Sequence, residues 1–233
     1  MDDAFIRQVI PLYQKAALLT LGIGGMGIVL SMVVGLFCAL VRYHAVHGQR
    51  RRSVRGGMLQ VANVIVVAYT ELSRNTPLLI QLFFLYFAFP RMGILLSSEQ
   101  CGVIGLTFLG GSYMAETFRS ALETVSRPQL ESGACIGLTQ LQIVRYVVVP
   151  QAAAVSVPGL CANIMFLIKE TSVFSAVALA DLMYVAKDLI GLYYKTDESL
   201  LLLVLAYAVL LVPVAVVSSF AERRLRRGQF GNV

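Results

Sequence analysis

Two short polar runs interrupt long apolar stretches, and each carries both signs of charge. One is Lys169-Glu170-Thr171-Ser172, and the other is Glu71-Leu72-Ser73-Arg74-Asn75-Thr76-Pro77. Ionisable groups at membrane depth are costly and by default mark a substrate or ion path. Neighbouring residues on a helix point about 100° apart. Lys169 and Glu170 therefore do not simply neutralise each other and can offer separate partners to the two ends of a ligand that bears both charges. In the other run Pro77 has no N–H and clashes with the Ser73 carbonyl, which frees backbone groups that protein or water must satisfy. Glu71, Arg74, Asn75 and Thr76 then surround a break in a helix. The chemistry on offer is recognition: no HExxH, GxSxG or paired-Asp motif stands on the apolar segments. Plainer roles stay open for both runs. Lys169 follows an uncharged stretch, residues 147–168, about 33 Å long if helical, and can snorkel to an interface. Glu71 and Arg74, three apart, can pair merely to brace a bundle.

The elements that would hold these runs are membrane spans. Of 233 residues, 58% are hydrophobic and 14% charged, with a mean hydropathy of +0.75, far more apolar than a soluble domain. A formal net charge of +6 would suit nucleic acid if it were spread over a soluble face. The arginines cluster instead between apolar segments, where they mark the cytoplasmic side, so no nucleic acid is expected as a partner. Cys38, Cys101, Cys135 and Cys161 are scattered without short spacings and read as buried small apolar groups. His44 and His47 sit in an arginine-rich loop without further ligands, so no metal is expected. Residues 1–15, with Asp2, Asp3, Arg7 and Lys15, lack the pattern of a signal peptide.

Residues 16–41 hold no charge over about 39 Å if helical, ample for one tilted span. The run Gly22-Ile23-Gly24-Gly25-Met26-Gly27 imitates a dinucleotide fingerprint, but inside a membrane helix with no strand before it the small residues serve close packing. Residues 42–55, with Arg42, Arg50, Arg51, Arg52 and Arg55 and no acid, are the strongest cytoplasmic signal. Residues 58–89 are apolar at both ends and polar in the middle; each half is too short to cross alone, so they form one broken span. A third span is expected at 100–122, where Gly110, Gly111 and Ser112 admit a close neighbour and Glu116 pairs with Arg119. The fourth is 147–168 and the fifth 199–221, with Pro213 as a kink; residues 181–198 read as an outer segment with a mixed-charge helix. The expected architecture is all-α, one domain over residues 1–233, with five spans, the N-terminus outside and the C-terminus inside. On this count 12 of the 19 basic residues are cytoplasmic, as positive-inside asymmetry requires.

Residues 126–150, SRPQLESGACIGLTQLQIVRYVVVP, are too polar for the bilayer core and too long for a turn. Ser126, with Gln129 three residues on and Pro128 in the first turn, starts a short helix that runs to about Ile136. Gly137 stops it, and Thr139 with Gln142 starts a second helix toward Pro150. Helix, glycine turn and helix suit docking on another protein. Here Glu131, Ser132, Gly133, three residues, Gly137, nine residues, then Val147, Val148, Val149 and Pro150 resemble the EAA loop of ABC importer permeases. That loop reads Glu-Ala-Ala, three residues, Gly, nine residues, Ile-x-Leu-Pro. Ser132 and Gly133 replace its alanines, and Val147 and Val149 its Ile and Leu; glycine inside a short helix costs about 1 kcal/mol against alanine. Residues 74–83, RNTPLLIQLF, resemble the RGTPLLVQLF segment of the polar amino-acid permeases of the histidine and glutamine type, and residues 167–172, LIKETS, resemble their LIKDTS.

The resemblance runs over roughly residues 15–222. It implies a type I ABC importer permease fold in the bacterial cytoplasmic (inner) membrane, moving a polar amino acid, with no cofactor and no enzymatic activity of its own. It also implies a working unit of two permeases, identical or sister, a cytoplasmic ABC ATPase dimer and an external solute-binding protein, embedded in membrane lipid. By resemblance Glu131, Ser132, Gly133, Gly137 and Pro150 contact the ATPase, although Glu131 can also serve the positive end of its own helix. Substrate contacts would come from Glu71, Arg74, Asn75, Thr76, Lys169 and Glu170, with Asn163 about two turns before Glu170. An amino acid brings a carboxylate and an ammonium, and each needs a partner because an unpaired buried charge is expensive. A self-contained secondary transporter or channel for small polar solutes is the alternative, weakened by the absence of a duplicated broken segment.

Overall fold

The computed structural model describes residues 3–47 and 54–229; among them the chain is helices joined by short turns, without a strand. Residues 48–53, the centre of the expected arginine loop, lie outside the described residues. The α-helices are α1 (Asp3–His47), α2 (Val54–Arg74), α3 (Leu78–Phe83), α4 (Ser98–Glu123), α5 (Arg127–Cys135), α6 (Gln140–Ile143), α7 (Val149–Glu170), α8 (Leu182–Tyr193) and α9 (Thr196–Gln229). The stretches Phe5–Val46, Gln140–Val177 and Thr196–Arg224 are long and apolar enough to cross a membrane. The segments expected at 58–89 and 100–122 are helical but more polar. Glu71 and Arg74 close α2, while Glu99, Glu116, Arg119 and Glu123 lie on α4.

The helix break expected near Pro77 is present. α2 ends at Arg74, and Pro77, extended at φ −61° and ψ 141°, caps α3. α3 then continues through a π-helical turn, Phe84–Ala88, and a 3-10 turn, Phe89–Met92. A second π turn, Val144–Val148, joins α6 to α7, and a 3-10 turn, Thr171–Val177, follows α7.

The chain divides into two compact units. One holds Met1–Ser31, Thr76–Gly110 and Ile164–Val217, the other Met32–Asn75, Gly111–Asn163 and Ser218–Val233. In the first, Phe5, Val9, Tyr13 and Ala16 recur at helical spacing and are buried with Leu182, Ala186 and Leu189 of α8 and Leu203 of α9. The charged N-terminal residues thus belong to an amphipathic extension of α1. The Ser31 hydroxyl donates to the Gly27 carbonyl at 2.7 Å and the Leu106 carbonyl at 3.2 Å, which ties α1 to α4. A Cβ at Gly110 would collide with Ser31 Oγ and stand 2.7 Å from Leu167 Cδ1, so this approach demands glycine.

In the second unit, Ala39 and Tyr43 of α1, Ala121 and Leu122 of α4, Ile143, Val148 and Ala152 form one apolar cluster. Cys38 packs with Val66 and Ala115 in another. The expectation that all four thiols are buried needs correction: Cys38 and Cys101 are buried, Cys161 is intermediate and Cys135 is exposed, because α5 turns that residue away from its packed face.

Gly110→Leu should lower the melting temperature of the detergent-solubilised protein, since overpacking costs about 1–3 kcal/mol. Gly25→Ala, where nothing stands within 4 Å of the added methyl, should not lower it.

Candidate functional site

The loop over residues 126–150 folds as its capping residues direct. Ser126 is an extended N-cap at φ −69° and ψ 147°, with Pro128 in the first turn, although its side chain makes no capping hydrogen bond. At the far end of α5, Gly137 is left-handed at φ 86°. Its N–H donates to the Ala134 carbonyl at 3.0 Å, and the Leu138 N–H donates to the Gly133 carbonyl at 3.1 Å. These two bonds make a Schellman corner, which satisfies the helix's last carbonyls. Thr139 then closes a capping box: its hydroxyl accepts from the Gln142 N–H, and its own N–H donates to Gln142 Oε1 at 2.8 Å.

Gly133 is buried, and a Cβ there would lie 3.1 Å from Ile143 Cγ1. What the sequence shows only as a weak point in a helix is where α6 closes onto α5. Ser132 donates to the Pro128 carbonyl at 2.8 Å, and Pro150 is exposed. Glu131 is the fifth residue of α5, beyond the turn where the helix dipole acts, so the alternative role at its own helix's positive end is not supported. It is exposed, and its side chain takes part in no hydrogen bond or ion pair among the described residues. It borders a groove of about 590 Å³ walled by Tyr43 and His44 of α1, Leu130 and Ala134 of α5, and Leu141 of α6. Leu141 and Ile136 are each 78% exposed, so the hairpin presents an apolar face rimmed by polar residues.

The polar runs fall in different units. In the second unit Asn75 closes the end of α2: its Nδ2 donates to the Glu71 carbonyl at 2.7 Å and to Glu71 Oε2 at 3.3 Å. Glu71 and Arg74 form no ion pair among the described residues. The Arg74 guanidinium lies instead over the Tyr113 ring, 5.3 Å from its centroid, where a cation is attracted by the π face. Asn163 Nδ2 donates to Thr117 Oγ1 at 2.9 Å, and Thr117 Oγ1 donates to the Tyr113 carbonyl at 3.1 Å. Tyr113 and Thr117, one turn apart on α4, therefore receive Arg74 and Asn163. Sequence reasoning missed both; the signal was their spacing of four within an apolar stretch.

Glu116 binds Arg42 at 3.2 Å and also Arg119, which in turn binds Glu123. The expected Glu116–Arg119 pair is thus one edge of a network that reaches back to α1.

In the first unit Gln81 Nε2 donates to the Thr76 carbonyl at 3.1 Å and the Thr76 hydroxyl at 2.9 Å. Lys169 is exposed and Glu170 half-buried at the end of α7, and they do not bond each other. α3 packs against the 3-10 turn Thr171–Val177 that follows them. The second half of the broken span and the 167–172 motif, 90 residues apart, are brought together in this way.

The family described as "Binding-protein-dependent transport system inner membrane component" matches residues 57–228. The chain is 32% identical over 160 residues, 69% of its length and 74% of the relative's, to the probable glutamine ABC transporter permease protein GlnM of Bacillus subtilis (strain 168). It is 28% identical over 228 residues, 97% of its length and 96% of the relative's, to the glutamine transport system permease protein GlnP of Escherichia coli (strain K12). A crystal structure of an amino acid ABC transporter with histidines superposes with a TM-score of 0.84 at 25% identity, covering 96% of this chain and 99% of that one.

Thr139→Ala and Gly137→Val should each weaken the corner by about 1 kcal/mol, through the lost cap and through the left-handed backbone. Hydrogen exchange of residues 133–145 should quicken about fivefold in each variant, with the amides of α4 unchanged.

Proposed function

Because the chain belongs to the family of binding-protein-dependent transport system inner membrane components, we propose that it is the permease subunit of an ATP-driven importer for a polar amino acid. It is a transport component rather than an enzyme, and ATP hydrolysis belongs to a separate cytoplasmic ATPase. The observation that carries this reading is the α5–Gly137–α6 corner, a rigid apolar hairpin with the unpaired Glu131 beside its groove. The relatives GlnM, a probable glutamine ABC transporter permease, and GlnP, a glutamine transport system permease, support a small polar amino acid as cargo.

In this reading Glu131, Ser132, Gly133, Gly137 and Pro150 form the contact with an ATPase dimer. Glu131 offers its free carboxylate, Gly133 and Gly137 set the angle of the hairpin, and Ser132 and Pro150 flank the contact. The substrate's carboxylate is met by Lys169 and its ammonium by Glu170, two charges that nothing among the described residues pairs. Glu71, Arg74 and Asn163 of the second unit are further candidate substrate contacts, while Asn75 and Thr76 keep the break closed. A second permease, identical or sister, and an external solute-binding protein complete the unit. Five spans place the N-terminus outside and the C-terminus inside the bacterial inner membrane.

Reporter fusions at residues 48 and 233 should register cytoplasm and one at residue 95 the outer side; a cytoplasmic signal at 95 sinks the five-span topology. In proteoliposomes with the ATPase and binding protein, Lys169→Ala and Glu170→Ala should each cut uptake at least tenfold, about the loss of one charge-assisted contact, while stimulated ATP hydrolysis persists. Gly137→Asp should leave the permease in the membrane but abolish co-purification with the ATPase or uncouple hydrolysis from uptake. Normal coupling in that variant refutes the role of the hairpin.

A further inference from the structure

The side-chain amide of Asn163 on α7 has one end tied down and one end free. Nδ2 donates to Thr117 Oγ1 of α4 at 2.9 Å and lies 4.0 Å from Met114 Sδ. Oδ1 accepts no hydrogen bond among the described residues, and it is not one of their fully buried unsatisfied atoms, so it opens on accessible space. An asparagine amide is a donor at one end and an acceptor at the other. Which end is free decides what the residue can recognise.

Thr117 settles that choice. Its hydroxyl has one proton, which goes to the Tyr113 carbonyl one turn back at 3.1 Å, so toward Asn163 the oxygen can only accept. Turning the amide over would set Oδ1 against Oγ1. The threonine would then have to withdraw its proton from Tyr113, one hydrogen bond would replace two, and the weak donation to the Met114 sulfur would go. One hydrogen bond is worth about a factor of five in population, which favours the amide as it stands. Threonine on a helix divides between two rotamers, but here its methyl is lodged against Gly159 of α7. A Cβ on that glycine would stand 2.8 Å from Thr117 Cγ2 and 3.6 Å from Oγ1. Gly159 and Asn163 are one turn apart, and Thr117 fits between them, its methyl on the first and its hydroxyl on the second. These residues all belong to the second unit.

We propose that Thr117 is a positioning residue for the cargo: it holds the Asn163 amide with Oδ1 outward, so that Asn163 acts as an acceptor and meets an N–H donor of the amino acid. A cargo carboxylate would face an oxygen here and is turned away from this position. The inference rests on the reading above that Asn163 contacts the substrate. It adds the polarity of that contact and the residue that sets it. Gly159 is the third part, because a side chain there would push the threonine methyl out of place.

The test is ATP-driven uptake of glutamine, the amino acid for which GlnM and GlnP are named, by the permease with its ATPase and binding protein in proteoliposomes. Asn163→Leu should cut uptake about fivefold, the loss of one cargo hydrogen bond. Uptake at the wild-type rate in that variant would overturn the reading of Asn163 as a contact, and this inference with it. With Asn163→Leu impaired, Thr117 is judged separately by two variants that pull in opposite directions. Thr117→Val keeps the methyl on Gly159 but has no hydroxyl, and should lose about as much uptake as Asn163→Leu while stimulated ATP hydrolysis and melting temperature stay level. Thr117→Ser keeps the hydroxyl without the methyl and should transport close to the wild-type rate. A residue that merely packs against α7 gives the reverse order. That order, or equal rates in the two variants, overturns the proposal and leaves Asn163 standing as a contact. In the Asn163→Leu background Thr117→Val should cost no further uptake, because it acts through that amide; an additive loss refutes the positioning role. Gly159→Ala should lower uptake as Thr117→Val does, and Thr117→Ser should restore it, since the close approach is to the methyl; a double variant that stays impaired also counts against the proposal.

Discussion

A chain in hydrocarbon has no water to receive the N–H and C=O groups that a helix break sets free, and this structure closes its breaks with its own side chains. Asn75 returns to the Glu71 carbonyl at the end of α2. Gln81 reaches back to the Thr76 carbonyl and hydroxyl before α3. Asp181 takes a free amide in the first turn of α8, that of Tyr184. Polar residues at such points serve the backbone first. Asn75 and Thr76 are committed in this way, and Arg74 rests on the Tyr113 ring. Within the two polar runs, Lys169 and Glu170 are the charged side chains that pair with nothing among the described residues.

The charged network on α4 answers a different need. Arg42, Glu116, Arg119 and Glu123 are partly exposed, so each pair adds little stability by itself. As a connected set they fix the rotation of α4 against α1, for any turn of either helix would break Arg42 from Glu116. Ala39 and Tyr43 of α1 and Ala121 and Leu122 of α4 share an apolar cluster in the same unit.

The sequence was most readable where local chemistry decides the outcome. The Thr139–Gln142 capping box, the stop at Gly137 and the break before Pro77 all depend on residues within four positions of one another, and all are present. What escaped depends on distance. Tyr113 and Thr117 receive partners from α2 and α7; their spacing of four puts them on one face of α4 but does not say what they meet there. The plainer alternative, a bracing pair between Glu71 and Arg74, is not formed: the guanidinium lies over the ring of Tyr113, a partner no i, i+3 rule contains. The π turns at Phe84–Ala88 and Val144–Val148 leave no mark in the hydrophobic pattern. Asp181 reads as one more acid in a mixed-charge segment, yet tertiary packing makes it the most deeply enclosed carboxyl described.

The left-handed corner at Gly137 also bears on inheritance. After glycine, asparagine is the residue found most readily in such a backbone, ahead of aspartate. From a glycine codon a single nucleotide change reaches alanine, valine, serine, cysteine, arginine, tryptophan, aspartate or glutamate, but never asparagine. The mildest replacement therefore lies two changes away, through an intermediate that carries the strain. A lineage that keeps this hairpin in use is held at glycine by the genetic code as much as by the fold.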